Sequence, residues 1–192
     1  MQEEKIRYAD MDLLLFGTVG AQGAVEIAKE GRKTLAETLP EDFLDEIEEW
    51  QWEARPDCAW EELGIRKVWP VGEGGLFAAL WYMAKETKTG FRLDLRAVPS
   101  RQETIEVCEV FDLNPYQLMS GGTYLAAAEN GNEVLWRCRQ RQIPAALIGK
   151  LSRDQDKAIY QEDSIRYLDR PKEDELLGFR KNMQRKAETK PC

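Results

Sequence analysis

Histidine is absent from all 192 residues, and with it go the commonest general base, the triad partner and the commonest zinc ligand. Chemistry in this chain must rest on carboxylates, cysteine or backbone amides. Cysteine is sparse. Cys58, Cys108, Cys138 and Cys192 lie far apart and form no Cys-x-x-Cys pair of the kind that metal sites use. Cys108 and Cys138 fall within apolar helical patterns, where a reduced thiol packs as a small hydrophobe. Basic charge is in deficit, with 27 Lys and Arg against 35 Asp and Glu and a formal net charge of −8. Such a surface repels phosphate backbones and excludes a broad nucleic-acid footprint. No apolar run approaches a membrane span, and the charged start Met1-Gln2-Glu3-Glu4-Lys5 has no signal-peptide character. The expectation is a cytoplasmic protein without a membrane anchor or a nucleic-acid partner.

What is present is ample apolar content, 43% of residues, enough for a sizeable core. No internal repeat, low-complexity tract or long linker divides the chain. The pattern predicts one domain over residues 1–170. A charged helix or tail follows over 171–192, with Leu176, Leu177, Phe179 and Met183 as its apolar anchors. Asp12 to Phe16 reads as a buried strand leaving through Gly17-Thr18-Val19-Gly20, and a helix should follow from about Gln22 to Leu39. Pro40, Glu41 and Asp42 open a second helix whose stripe is Phe43, Leu44, Ile47 and Trp50. Ile65 to Trp69 reads as a strand running through a Gly-rich turn into a helix carrying Leu76, Phe77, Leu80, Trp81 and Ala84. Phe91, Leu93, Leu95 and Ala97 alternate with Arg92, Asp94 and Arg96, as in a half-buried strand. Ser100 with Glu103 has the spacing of a capping box for a helix that turns Ile105, Cys108 and Phe111 inward. Beyond it come a strand at Thr123 to Ala128, a helix near Asn132 to Gln142, a strand at Ala145 to Ile148 and an edge segment at Lys157 to Tyr160.

The turn Val71-Gly72-Glu73-Gly74-Gly75 has the most chemical content. Closely spaced glycines let backbone N–H groups approach a ligand, and the helix start behind them presents free donors and a positive dipole end. That is the physics of anion or phosphate binding, for which Gly72, Glu73, Gly74 and Gly75 are candidates. A tight corner with no ligand is the other reading, and Glu73 would repel an anion unless it held magnesium or pointed away. Ser120-Gly121-Gly122 is a second candidate, against the alternative of a strand-entry turn. Most of the tryptophans read as core, with Trp52 and Trp60 the ones expected to meet a partner.

These residues carry a family resemblance. Trp69-Pro70-Val71-Gly72-Glu73-Gly74-Gly75-Leu76-Phe77-Ala78-Ala79-Leu80-Trp81 resembles the His-Asp-Val-Thr-Glu-Gly-Gly-Leu-x-Gly-Ala-Leu segment of the aminoimidazole ribonucleotide synthetase-related (PurM-like) superfamily. Asp12 to Ala28 is similar to the strand and helix that open the C-terminal half in that family. Asp112-Leu113-Asn114-Pro115 through Ser120-Gly121-Gly122, and Ile143 through Lys150, match its usual order, so the likeness covers about residues 10 to 170. The hydrogenase-maturation-factor-like branch is nearest in wording.

The resemblance implies an α/β (α+β) fold, a layered α/β/α domain with a mixed sheet and partly ferredoxin-like topology. It also implies that only the C-terminal half is present, without the N-terminal half that supplies most ATP and magnesium ligands and the dimer barrel. The family's His-Asp pair falls on Trp69 and Pro70, and its Thr on Gly72, which removes the loop's polar side chains while Glu73-Gly74-Gly75 remains. Hydrogenase-maturation relatives end in Pro-x-x-Cys, and this sequence ends Lys190-Pro191-Cys192, which makes Cys192 a candidate functional thiol. No catalytic residue or metal ligand is assigned. The chain is expected to be a non-catalytic binding or assembly module, as a homo-oligomer or with an ATP-binding partner protein. The alternative is one subunit of a split ATP-dependent enzyme, with ATP and magnesium bound only when a partner is present.

Overall fold

A strand that is apolar at every position has to be covered on both faces, and the run Leu13-Leu14-Leu15-Phe16 finds such a place at the centre of a seven-stranded sheet. The computed structural model describes residues 7–52 and 54–188. Its strands are β1 (Asp12–Phe16), β2 (Ile65–Val71), β3 (Gly90–Asp94), β4 (Thr123–Ala128), β5 (Ala145–Ser152), β6 (Lys157–Gln161) and β7 (Ser164–Tyr167). They lie in the order β2-β4-β1-β5-β3-β6-β7. Every neighbouring pair is antiparallel except β3 with β6. The sheet is therefore mixed, as the resemblance implies.

The helices are α1 (Ala21–Leu35), α2 (Glu41–Glu48), α3 (Gly75–Thr87), α4 (Gln102–Phe111), α5 (Gly131–Gln140) and α6 (Glu175–Glu188). One sheet face buries Leu13, Leu15, Leu93, Leu125 and Ala127 against Leu76, Leu80 and Met83 of α3. Leu14, Phe16, Ala126 and Ala128 point the other way, against Val134 and Cys138 of α5. A third cluster is helical. α1, α2, α4 and α6 bury Ile27, Leu35, Leu44, Ile47, Val107, Cys108, Leu176 and Phe179 among themselves. Burial there pushes the Cys108 thiol up to about 12, so it stays protonated and inert. Phe179 meets Phe111 edge-on at 4.8 Å between ring centres. Arg180 pairs with Glu26 and Glu30 of α1, which raises its own pKa and ties α6 to the cluster.

Several boundaries depart from the sequence pattern. The alternation Phe91, Leu93, Leu95 buries the expected side chains, but β3 stops at Asp94 and the chain turns through a single 3₁₀ turn at Leu95–Ala97. Asp94 drives this by accepting the Arg96 N–H, a local bond that competes with the strand ladder. Ser100 does not cap α4: the N-cap is Arg101 with no side-chain bond, and Ser100 instead bridges Val19 beside the turn that leaves β1. Lys157 to Tyr160 is not an edge, because β6 lies between β3 and the missed strand β7. Trp60 packs on Phe16 and Tyr124, Trp52 rests on the helical cluster, and the exposed tryptophan is Trp136.

Gly149 lies opposite both Leu13 and Leu93, where a Cβ would strike the Arg92 carbonyl of β3. Gly149→Ala is expected to cost about 1 to 3 kcal/mol in urea unfolding. Gly178→Ala, where nothing stands within 4 Å, is the control and should hold or gain about 0.5–1 kcal/mol. Equal stability of the two variants would show that β3 and β5 can move apart freely.

Candidate functional site

β2 feeds directly into the Gly-rich turn, and α3 starts at Gly75. Gly74 and Gly75 both hold left-handed backbone, at φ 76° and 62°, which side chains rarely adopt. Gly75 has a second constraint: a Cβ on it would sit 2.6 Å from the Tyr116 carbonyl and 2.7 Å from that of Leu118. The glycines therefore serve close backbone approach. The approaching group is another stretch of this chain.

Two of the donors that the turn could offer an anion, the Gly74 and Gly75 N–H groups, are engaged from within. The Gly74 N–H donates to Asp174 Oδ2 at 2.5 Å, and the Gly75 N–H folds back onto the Gly72 carbonyl at 3.1 Å. Asp174 is 1% exposed. Its Oδ1 also accepts the Leu176 N–H at 2.8 Å and the Met119 N–H at 3.3 Å. A buried carboxylate requires hydrogen-bond compensation, and this one takes it from the starts of two helices, α3 and α6, and from the loop before β4. It stands where a bound anion would stand on the positive end of α3.

The second glycine site adjoins the first. The Gly72 carbonyl also accepts the Ser120 N–H at 3.1 Å. The Ser120 hydroxyl accepts the Gly20 N–H at 2.7 Å and donates to the Leu118 carbonyl at 2.8 Å. The Gly121 N–H donates to Gln22 Oε1 at 3.0 Å, and the Gly122 carbonyl accepts the Ala54 N–H at 2.9 Å. The two sites thus meet at one locus through the Ser120 N–H and the Gly72 carbonyl, and the second also bonds to the β1–α1 turn.

Of the remaining candidates, Glu73 is exposed beside the turn. Cys192 lies outside the described residues. Trp69 is buried, donates its indole N–H to Glu86 at 2.7 Å and meets the Tyr8 ring at 5.9 Å. That bond holds the Glu86 carboxyl below its usual range. Pro70 is exposed on β2, an edge strand where a missing N–H costs no ladder bond. Among the described residues no group of three or more Cys, Asp or Glu could hold a metal ion, and no helix is long and apolar enough to cross a membrane.

Residues 12–161 match the family described as AIR synthase related protein, C-terminal domain. The chain belongs to this family. Carbamoyl dehydratase HypE of Rhizobium leguminosarum bv. viciae is 32% identical over 94 residues, which are 47% of this chain and 27% of that protein. Among solved structures, HypE in complex with ATP superposes with TM-score 0.66 at 15% identity, covering 91% of this chain and 55% of that one. HypE in the HypE-HypF complex gives TM-score 0.64 at 17% identity, covering 85% and 53%. At those identities the structures show a shared fold. The chain spans about half the length of those HypE chains.

Asp174 was the residue that sequence pattern did not single out as part of the site. An Asp shortly before an apolar run is a helix-start signal, so its bond to Leu176 was legible. Its bond to Gly74, 100 residues away, was not. Asp174→Asn turns one acceptor into a donor facing N–H groups, and should cost about 2–3 kcal/mol in urea unfolding. Unchanged stability would mean that the carboxylate does not hold the turn.

Proposed function

We propose that this chain is a stand-alone binding or assembly module, built on the C-terminal-domain scaffold of the AIR synthase related family and without catalysis of its own. The observation that carries this reading is the state of the Gly-rich turn. Its polar positions are Trp69, turned into the core, and Pro70, and its Gly74 N–H is bonded to Asp174. Open sheet edges favour assembly. β2 and β7 each end the sheet with one unpaired side, and an edge strand is a ready template for another chain. β7 also leaves Ile165 and Tyr167 56% and 63% exposed. The HypE structure solved together with HypF is a precedent for a relative that works in a complex. On this reading residues 1–170 form the module, within which 12–161 match the family, and 171–192 are its charged C-terminal element.

A second reading has one observation in its favour. Glu73-Gly74-Gly75 is retained with its left-handed glycines, in a chain that spans about half of a HypE solved with ATP. On that reading a separate N-terminal half brings ATP and magnesium, and this chain completes the enzyme.

Light scattering over a range of concentrations is expected to give a homodimer or larger species, with magnesium-ATP hydrolysis at buffer level. A monomer at every concentration would sink homo-assembly. Magnesium-dependent ATP turnover on adding an isolated ATP-binding half of a HypE would overturn the first reading in favour of the second.

A further inference from the structure

A cavity of about 350 Å³ lies between the start of α3, β6, β7 and the segment that leads into α6. Ligand sites of small molecules start at about this size. Arg166, Arg170 and Lys172 line it, opposed on the lining by Asp169 alone. All three cations are exposed, and none forms an ion pair with a carboxylate among the described residues.

Two other basic concavities have their cations paired, and a further one has fewer cations without a carboxylate partner than this cavity. Beside α5 a second concavity holds Arg66 and Arg137, paired with Glu129 and Glu133. At the end of β5 a third holds Arg92, Lys150 and Arg153, paired with Asp154, Asp12 and Asp10. In a fourth, beside Gly17, Arg141 pairs with Glu62, while Arg101 stacks on the Trp50 ring at 4.2 Å and Arg55 has no carboxylate partner among the described residues. In a chain with net charge −8 acids are in excess to neutralise cations, yet three stay unpaired around one concave space. Arg166 is also oriented. Its guanidinium lies 5.5 Å over the Phe77 ring, whose stacked neighbour Tyr116 is at 5.5 Å and 16°. Such a cation–π contact fixes the planar fork while leaving its N–H donors open to a ligand. The side-chain amide of Gln117 adds a neutral donor on the same lining.

We infer that this cavity binds a small multivalent oxyanion, phosphoryl or polycarboxylate, held by Arg166, Arg170 and Lys172. Two guanidinium forks suit either group, since both present paired oxygens to bidentate N–H donors. The site differs from the Gly-rich turn, where Asp174 already supplies the negative charge. It shares β7 with the assembly reading, through Arg166 and Tyr167, but one chain holds the whole lining.

Titration calorimetry of the full chain with inorganic pyrophosphate and with citrate tests the assignment, in low salt and without magnesium. Saturable binding of one equivalent is expected, weakening as salt is raised. Tighter pyrophosphate assigns a phosphoryl ligand, and tighter citrate a carboxylate. The double variant R170Q/K172Q should lose at least about tenfold in affinity with an unchanged thermal midpoint, because both side chains are exposed. R166Q should weaken binding likewise. Arg55, exposed at the cavity beside Gly17, gives the control, and R55Q should bind as the parent does. No saturable binding of either probe, or an equal loss in R55Q and R170Q/K172Q, would overturn the site. Light scattering on the same samples reads assembly separately, so either idea can fail without the other.

Discussion

The Asp174 carboxylate is the interaction on which the arrangement of this protein turns. It carries a charge at 1% exposure and is satisfied by N–H groups of Gly74, Met119 and Leu176. Those groups belong to the start of α3, the loop before β4 and the start of α6. One side chain therefore joins the helix packed on the sheet to a helix of the separate helical cluster. Leu176 and Phe179 bury beside it, and Arg180 pairs with Glu26 and Glu30. Apolar burial supplies most of the gain in such a contact, while the carboxylate sets where along α1 and α3 the last helix comes to rest.

The same bond bears on what the fold can do. A helix start with adjacent glycines is a generic anion receptor, and here its leading amide has a carboxylate supplied by its own chain. The neighbouring loop is closed in a like manner, Ser120 by Gly20 and Leu118, and Gly121 by Gln22. Trp69 is buried beside the turn, and its indole is bonded to Glu86. Membership of the AIR synthase related family describes the scaffold; a binding or assembly role is our proposal for how that scaffold is used. The unpaired cations line a cavity that Gly74 of the turn also borders.

Elements whose cause is local were legible. β4 begins and ends where its apolar run does, at Thr123 and Ala128, and α2 buries the expected Leu44 and Ile47. α1 and α5 were placed to within a few residues, since helical periodicity does not mark the last turn. The failures came where a partner distant in sequence decided. Ser100 had a capping box on paper, but it lies in an isolated bridge with Val19, whose N–H donates to the Pro99 carbonyl. Lys157 to Tyr160 looked like an edge because β7 is only four residues long and exposed at each of them. Of the candidate site, both glycine clusters were visible, and their meeting at one place was not.

By itself the sequence determined the building blocks: apolar strands that need cover on both faces, amphipathic helices, and glycines where left-handed backbone or close approach is required. It also determined the chemistry open to the chain, since no histidine is available at any position. Periodicity and composition act between near neighbours, and such properties survive in a linear reading. Tertiary structure decided which group would occupy the Gly-rich turn. Gly74 and Asp174 are 100 residues apart, and nothing in local propensity says that one will face the other. Only the packing of α6 against α1 brings that carboxylate to the helix start, and only there do the free N–H groups and the buried charge satisfy each other.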